Sequence, residues 1–167
     1  MQDSYVFDSS TLILLAKITL LKAFAKKNKV IITPKVKAEV LRKKELYDVK
    51  IIEHLIEEKL ITESKSKFTS KKISMEFNIG EGESEALQLS WEIKSVLATD
   101  DWKAIKACKI IDIRFVTAIH CLIYLKNDGE LDKKLALEKL KNLEKYGRYN
   151  QEIIKYVRKI IEGETHD

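Results

Sequence analysis

Asp8, Glu39, Glu83 and the pair Asp100-Asp101 are the residues whose type and placement could do chemistry together. Asp8 closes the apolar burst Tyr5-Val6-Phe7, and Asp100-Asp101 closes Val96-Leu97-Ala98-Thr99. Glu39 falls a turn or two beyond Pro34, on the helix expected to leave Val30-Ile31-Ile32. Glu81, Glu83 and Glu85 surround the start of a helix that begins around Gly82. Carboxylates that converge on one edge repel one another, and a bound cation removes that cost. Hard carboxylate oxygens select Mg²⁺ or Mn²⁺. Such an ion orients a phosphodiester, activates water and stabilises a leaving oxygen.

Each acid also has an ordinary structural use. Asp8 suits a helix N-cap, and Glu39 a solvated helix face. Glu81, Glu83 and Glu85 suit the positive end of a helix dipole, and Asp100 or Asp101 the cap of a helix at Trp102. With 26 acids in the chain, several near strand ends are expected by count, so order and placement carry the information.

The elements that must position these acids are legible as bursts and periodicities. Residues 5–7, 30–32, 96–99 and 113–116 read as strands, with 60–62 as a further short one. A helix follows from Leu12 to the charged stretch Lys26-Lys27-Asn28, with Ser9 or Ser10 as its N-cap. Others start at Pro34 behind a Thr33 cap, cover 51–60, run from Gly82 past Ile93, and reach Cys108. From Thr117 onward the pattern is helical, broken at Asn127-Asp128-Gly129 and at Tyr146-Gly147. Residues 64–72 read as a loop. Strands alternating with helices predict an α/β fold, a parallel sheet covered on both faces. Right-handed crossovers put every strand's carboxyl end on one edge, where ligand sites form.

Composition narrows the alternatives. At 167 residues, 45% hydrophobic and 34% charged, the chain has the apolar content for one packed domain, which a disordered chain lacks. Five Gly and one Pro exclude collagen-like architecture. Cys108 and Cys121 make neither a disulfide framework nor a CxxC zinc pair. His54, His120 and His166 lack partners at zinc spacing. His120, amid Ile119, Cys121 and Leu122, is expected to be buried and hydrogen-bonded. Trp91 and Trp102 are expected in the core or an interface. Gly-x-Ser-x-Gly is absent, and Gly80-x-Gly82 lacks the third glycine of a dinucleotide loop.

The opening Met1-Gln2-Asp3 has no basic segment before an apolar run, and no run approaches the ~20 residues of a membrane span. The expectation is a cytoplasmic protein without a membrane partner. The net charge is +5, and only Arg42, Arg114, Arg148 and Arg158 among the 31 basic residues are arginines. Lysine attracts phosphate without reading bases, though a Lys-rich surface is equally a stability device. Lys65, Lys67, Lys71 and Lys72, with Phe68, could track an RNA backbone, or simply solvate a loop.

In this order the residues resemble the PIN-domain nucleases. The resemblance is carried by Val6-Phe7-Asp8-Ser9-Ser10-Thr11-Leu12-Ile13, by Ile32-Thr33-Pro34 with Val36 to Glu39-Val40, by Gly82-Glu83-Ser84-Glu85-Ala86-Leu87, and by Leu97-Ala98-Thr99-Asp100-Asp101. It is closest to prokaryotic, VapC-like members whose central helix starts with Gly-Glu rather than Asp-Ala. It implies a three-layer α/β/α fold, with residues 1–127 as the nuclease domain and 128–167 as a helical extension packed on it. It further implies a Mg²⁺- or Mn²⁺-dependent endoribonuclease whose metal site is Asp8, Glu39, Glu83 and one of Asp100 and Asp101. Asp101, two residues past Thr99, is favoured. Ser10 matches the hydroxyl that supports water at the metal, and Thr99 is a second supporting residue. Single-stranded RNA as substrate, a toxin-like or RNA-processing role, an antitoxin partner and a homodimer complete the expectation. Ala118 departs from the family, where Gly is frequent.

Two other readings compete. One is a non-catalytic RNA- or protein-binding module that keeps the fold. The other, a phosphoacceptor domain, wants an acidic pair after the first strand, where Asp8 stands alone.

Overall fold

β-Branched and aromatic residues concentrate in short runs, and these runs form one sheet. The computed structural model describes residues 3–164. Its strands are β1 (Ser4–Phe7), β2 (Lys29–Ile32), β3 (Ile61–Glu63), β4 (Val96–Ala98) and β5 (Phe115–Val116), in the order β3-β2-β1-β4-β5. Every pairing is parallel, with Tyr5 opposite both Val30 and Val96. Val6, Phe7, Ile32, Leu97 and Ala98 are fully buried, as a parallel sheet covered on both faces requires.

The helices are α1 (Ser9–Lys17), α2 (Leu21–Lys27), α3 (Pro34–Val40), α4 (Tyr47–Glu57), α5 (Lys71–Phe77), α6 (Glu81–Glu92), α7 (Trp102–Ile110), α8 (Ala118–Asn127), α9 (Lys133–Tyr146) and α10 (Gln151–Glu162). α1 packs with α4 and α8, while α5, α6 and α7 pack with one another, and α3 touches both α1 and α6. The result is the three-layer α/β/α architecture expected. α9 lies on α8 and α1, and α10 on α9 and α8. Phe24 of α2 stands edge-on to Tyr5, Phe7 and Tyr124, its ring centroid 5.1, 5.7 and 5.8 Å from theirs. That cluster fixes α2 and α8 against β1. Among the described residues, no helix is long and apolar enough to cross a membrane.

Helix boundaries differ from the sequence reading at several points. The helix expected over 12–27 is two helices, because Thr19 takes a left-handed φ of 62°. Leu20 N–H returns to the Leu15 carbonyl and Thr19 N–H to Ala16, a Schellman ending without glycine. Lys59, Asn78, Lys94 and Asp112 are left-handed too. Each is followed by an N–H that reaches back five residues: Leu60 to Leu55, Ile79 to Ser74, Ser95 to Ser90 and Ile113 to Cys108. α4 begins at Tyr47 rather than 51, and α5 takes the end of the expected 64–72 loop. The N-cap of α1 is Asp8, not Ser9 or Ser10.

Three single-residue expectations also change. Trp91 and Trp102 are exposed, not in the core. His120 is exposed, although Thr117 N–H donates to its Nδ1 at 3.0 Å. His54 is exposed and 3.3 Å from Glu58, and His166 lies outside the described residues. Cys108 and Cys121 are buried free thiols.

Candidate active site

β1 is central, and the chain runs outward through β2 and β3 before returning to pair β4 on its other side. A crevice must open where the two directions part, beyond the carboxyl ends of β1 and β4. Asp8 and Asp100-Asp101 follow those two strands directly, and Glu39 sits on the helix after β2. α6 contacts β1, β4 and α3, so its first turn brings Glu83 to the same crevice.

Three consecutive hydroxyls at the start of α1 serve three different acids. Ser9 Oγ donates to Glu39 Oε2 at 3.2 Å, Ser10 Oγ to Asp8 Oδ1 at 2.6 Å, and Thr11 Oγ1 to Asp100 Oδ2 at 2.5 Å. Ser10 Oγ also accepts from Asp100 N–H at 3.0 Å. On the other side Thr99 Oγ1 donates to Asp8 Oδ2 and accepts from Asp101 N–H at 3.1 Å. Asp8 is fully buried and caps α1 by accepting from Thr11 N–H at 3.2 Å.

Charge decides which of the remaining acids belong together. Lys35 pairs with Glu81 through Nζ and donates its backbone N–H to Glu85 at 3.1 Å. Glu81 is thereby compensated by an opposite charge, and Glu85 is held by a backbone hydrogen bond. Glu83 instead adds to the fields on Asp8 and Glu39. Burial pushes the Asp8 carboxyl from its ordinary 3.8 up to about 7, against the hydrogen bonds from Ser10, Thr99 and Thr11, and the charge of Glu83 raises it further. Glu39 is raised as well, by burial first and Glu83 second, with Ser9, Gly82 N–H and Arg42 holding it back.

Gly82 makes this approach possible. A Cβ there would lie 2.7 Å from the Glu39 carboxyl carbon, so any larger residue must push that carboxylate away from the first turn of α6.

The neighbours Asp100 and Asp101 have different surroundings. Asp100 has both oxygens engaged: Oδ1 by the Tyr149 hydroxyl, Oδ2 by Thr11 and by Ala118 N–H at 3.0 Å. Asp101 Oδ1 caps α7 through Ala104 N–H at 2.9 Å, and its Oδ2 receives no hydrogen bond among the described residues. Sequence reasoning missed Ser9, Thr11 and Tyr149. The first two were in view as a Ser-Ser-Thr run after an acid, but Tyr149 gave no signal, 49 residues from its partner.

A donor set made only of carboxylate oxygens, in which the charge of Glu83 opposes ionisation of Asp8 and Glu39, fits a hard divalent cation. As their side chains stand, no group of three or more His, Cys, Asp or Glu among the described residues is arranged to hold one. The lysine stretch borders a cavity lined by Lys65, Lys67, Phe68 and Lys71 on one side and by Lys35, Glu81 and Glu85 on the other. Lys72 follows in the first turn of α5. The stretch is ordered by Glu92, whose carboxylate accepts from Ser66 Oγ, Lys67 N–H and Phe68 N–H at 2.5, 2.9 and 3.2 Å.

A doubly wound parallel sheet with carboxylates at its switch point makes this an α/β/α domain whose ligand site lies at the carboxyl edge of the sheet. Residues 4–162 match the family DUF3368, described as a PIN domain, and the chain belongs to that family. PIN domains are generally nucleases and typically use divalent metals. No curated protein matches the chain.

Proposed function

We propose that the chain is a Mg²⁺- or Mn²⁺-dependent endoribonuclease acting on single-stranded RNA. The observation that carries this reading is that Asp8 and Glu39 meet the charge of Glu83 at the carboxyl edge of the sheet, where Asp8 has only hydrogen bonds and, among the described residues, no ion pair to offset it. Asp8, Glu39, Glu83 and Asp101 are the residues that would hold the metal. Asp100, saturated by Thr11, Ala118 and Tyr149, is the anchor that positions its neighbour. When bound, the metal supplies charge neutralisation for the phosphodiester and lowers the pKa of water. Ser10 and Thr99 hold the Asp8 carboxylate from both sides and fix its orientation. The Glu92-anchored lysines draw the phosphate backbone across the adjoining surface.

The same reading makes the chain a VapC-like member with a Gly-Glu central helix. It works in the cytoplasm as a homodimer, as an RNA-processing enzyme or as a toxin held by an antitoxin. Residues 128–167 belong to the working domain as its helical extension. The test is cleavage of single-stranded RNA by wild type and Asp8→Asn with Mg²⁺, with Mn²⁺ and with EDTA. Cleavage confined to wild type plus metal is expected. Equal cleavage by both, or none by wild type with either metal, overturns the reading, and RNA binding that survives loss of all the acids would favour a non-catalytic module.

A further inference from the structure

Beside the acid cluster lies a second feature that metal chemistry does not use. A cavity of about 480 Å³ opens between α7, α8 and α10, within the roughly 300–1,000 Å³ range of small-ligand sites. Its interior is mostly isoleucine and valine, its walls carry Tyr149 and His120, and two further rings, Trp102 and Tyr156, stand open to solvent. Those rings are 67% and 64% exposed, too open to be explained as core. Arg148 supplies a positive charge at the wall, and Asp100 and Tyr149 are shared with the acid network.

We propose that this cavity seats one unpaired nucleobase of the RNA, next to the phosphate at the acid cluster, with Trp102 as the stacking face. The inference rests on the nuclease reading and names a specificity pocket for it. Every base presents a π-face, and stacking on an aromatic side chain is worth about 1–3 kcal/mol per base. Arg148 complements the charge of a flanking phosphate, and Thr117 in the lining offers a polar partner to a base edge. A base inside a duplex is stacked on its neighbours and cannot enter, so the cavity discriminates for single strands. Continuity with Asp100 selects a nucleotide over a free metabolite, because a strand held at the acids passes the cavity mouth.

The experiment uses fluorescein-labelled decauridylate and decaadenylate, an oligomer of the same length with one abasic position, and a duplex. Binding is read in EDTA by anisotropy, and by quenching of Trp102 fluorescence in a Trp91→Phe background. Trp102→Ala and Tyr156→Ala alter exposed residues and retain the fold. Expected are about tenfold weaker binding of the single strands by Trp102→Ala, rescue by Trp102→Phe, quenching by single strands and none by duplex. Placing the abasic position at the seat should erase the difference between wild type and Trp102→Ala. Unchanged binding by both alanine variants, or no quenching by either single strand, overturns the proposal. So does a wild-type dimer that Tyr156→Ala converts to monomer with RNA binding intact, since the face then belongs to a second copy. Because binding is read without metal, quenching in a protein that cleaves nothing sinks the nuclease and leaves the seat. Cleavage with unchanged KM in Trp102→Ala does the reverse.

Discussion

Asp8→Asn separates the cost of a buried charge from the fold around it. In the metal-free protein the Asp8 carboxyl stands at about 7 against an ordinary 3.8. A raised folded-state pKa means that its favourable contribution is complete below pH 3.8 and is lost as pH rises through about 7. Each pH unit in that window is worth about 1.4 kcal/mol, so the whole loss is about 4 kcal/mol, with about 2 kcal/mol of it above pH 5.5. For a chain of this size 1 kcal/mol moves Tm by about 2–4 °C. Asparagine keeps an acceptor for one of Ser10 and Thr99 and turns an amide N–H toward the other, but it never ionises, and any hydrogen bond it loses is lost at every pH. Thermal unfolding in EDTA at pH 5.5 and pH 8.0 should therefore show wild type falling by about 4–8 °C relative to Asp8→Asn. Adding Mg²⁺ at pH 8.0 should recover wild type and leave the variant unchanged. Parallel pH profiles for the two proteins, or a Mg²⁺ shift of equal size in both, would refute the buried-charge reasoning.

Two further substitutions probe how the site is held. Tyr149→Phe removes the donor to Asp100 Oδ1 without opening a large cavity. It should cost about 1.5–3 kcal/mol in chemical denaturation, the usual range for a hydrogen bond to a charged group, and lower cleavage with KM little changed; unaltered stability would show that the contact carries no weight. Gly82→Ala should lower Tm even though alanine is the better helix former by about 1 kcal/mol, because its methyl meets the Glu39 carboxylate. The check is Tm beside metal-dependent cleavage, and a rise in Tm with activity intact would show that Glu39 moves aside freely.

The strands and the acids were readable because each depends on local pattern. Tyr5-Val6-Phe7 and Val96-Leu97-Ala98 are apolar runs ended by Asp, and a parallel sheet turns that shared ending into a shared edge. The helix ends were not readable, because their left-handed residues are Thr19, Lys59, Asn78, Lys94 and Asp112 rather than glycine. What holds those turns is the apolar residue after most of them, Leu20, Leu60, Ile79 or Ile113, packed onto the helix it ends. The exposure of Trp102 was equally hidden: a tryptophan at a helix start looks the same in sequence whether it faces core or cleft. Tyr149 lay beyond local reasoning because its partner is set by how α9 and α10 dock, and the loop that carries it reaches Asp100 only once they have. The division of labour among Glu81, Glu83 and Glu85 depended on Lys35, a residue of a different helix.

The run Ser9-Ser10-Thr11 has a consequence for how the site fails. These residues occupy a single turn at the end of a helix, the part of any helix that frays first. Their hydroxyls cannot let go one at a time when that turn opens: Glu39, Asp8 and Asp100 each lose a donor in the same event, while Thr99 stays on Asp8 and Ala118 and Tyr149 stay on Asp100. The α1 side of the acid network therefore opens as one unit, and amide exchange at the start of α1 is a direct clock for it.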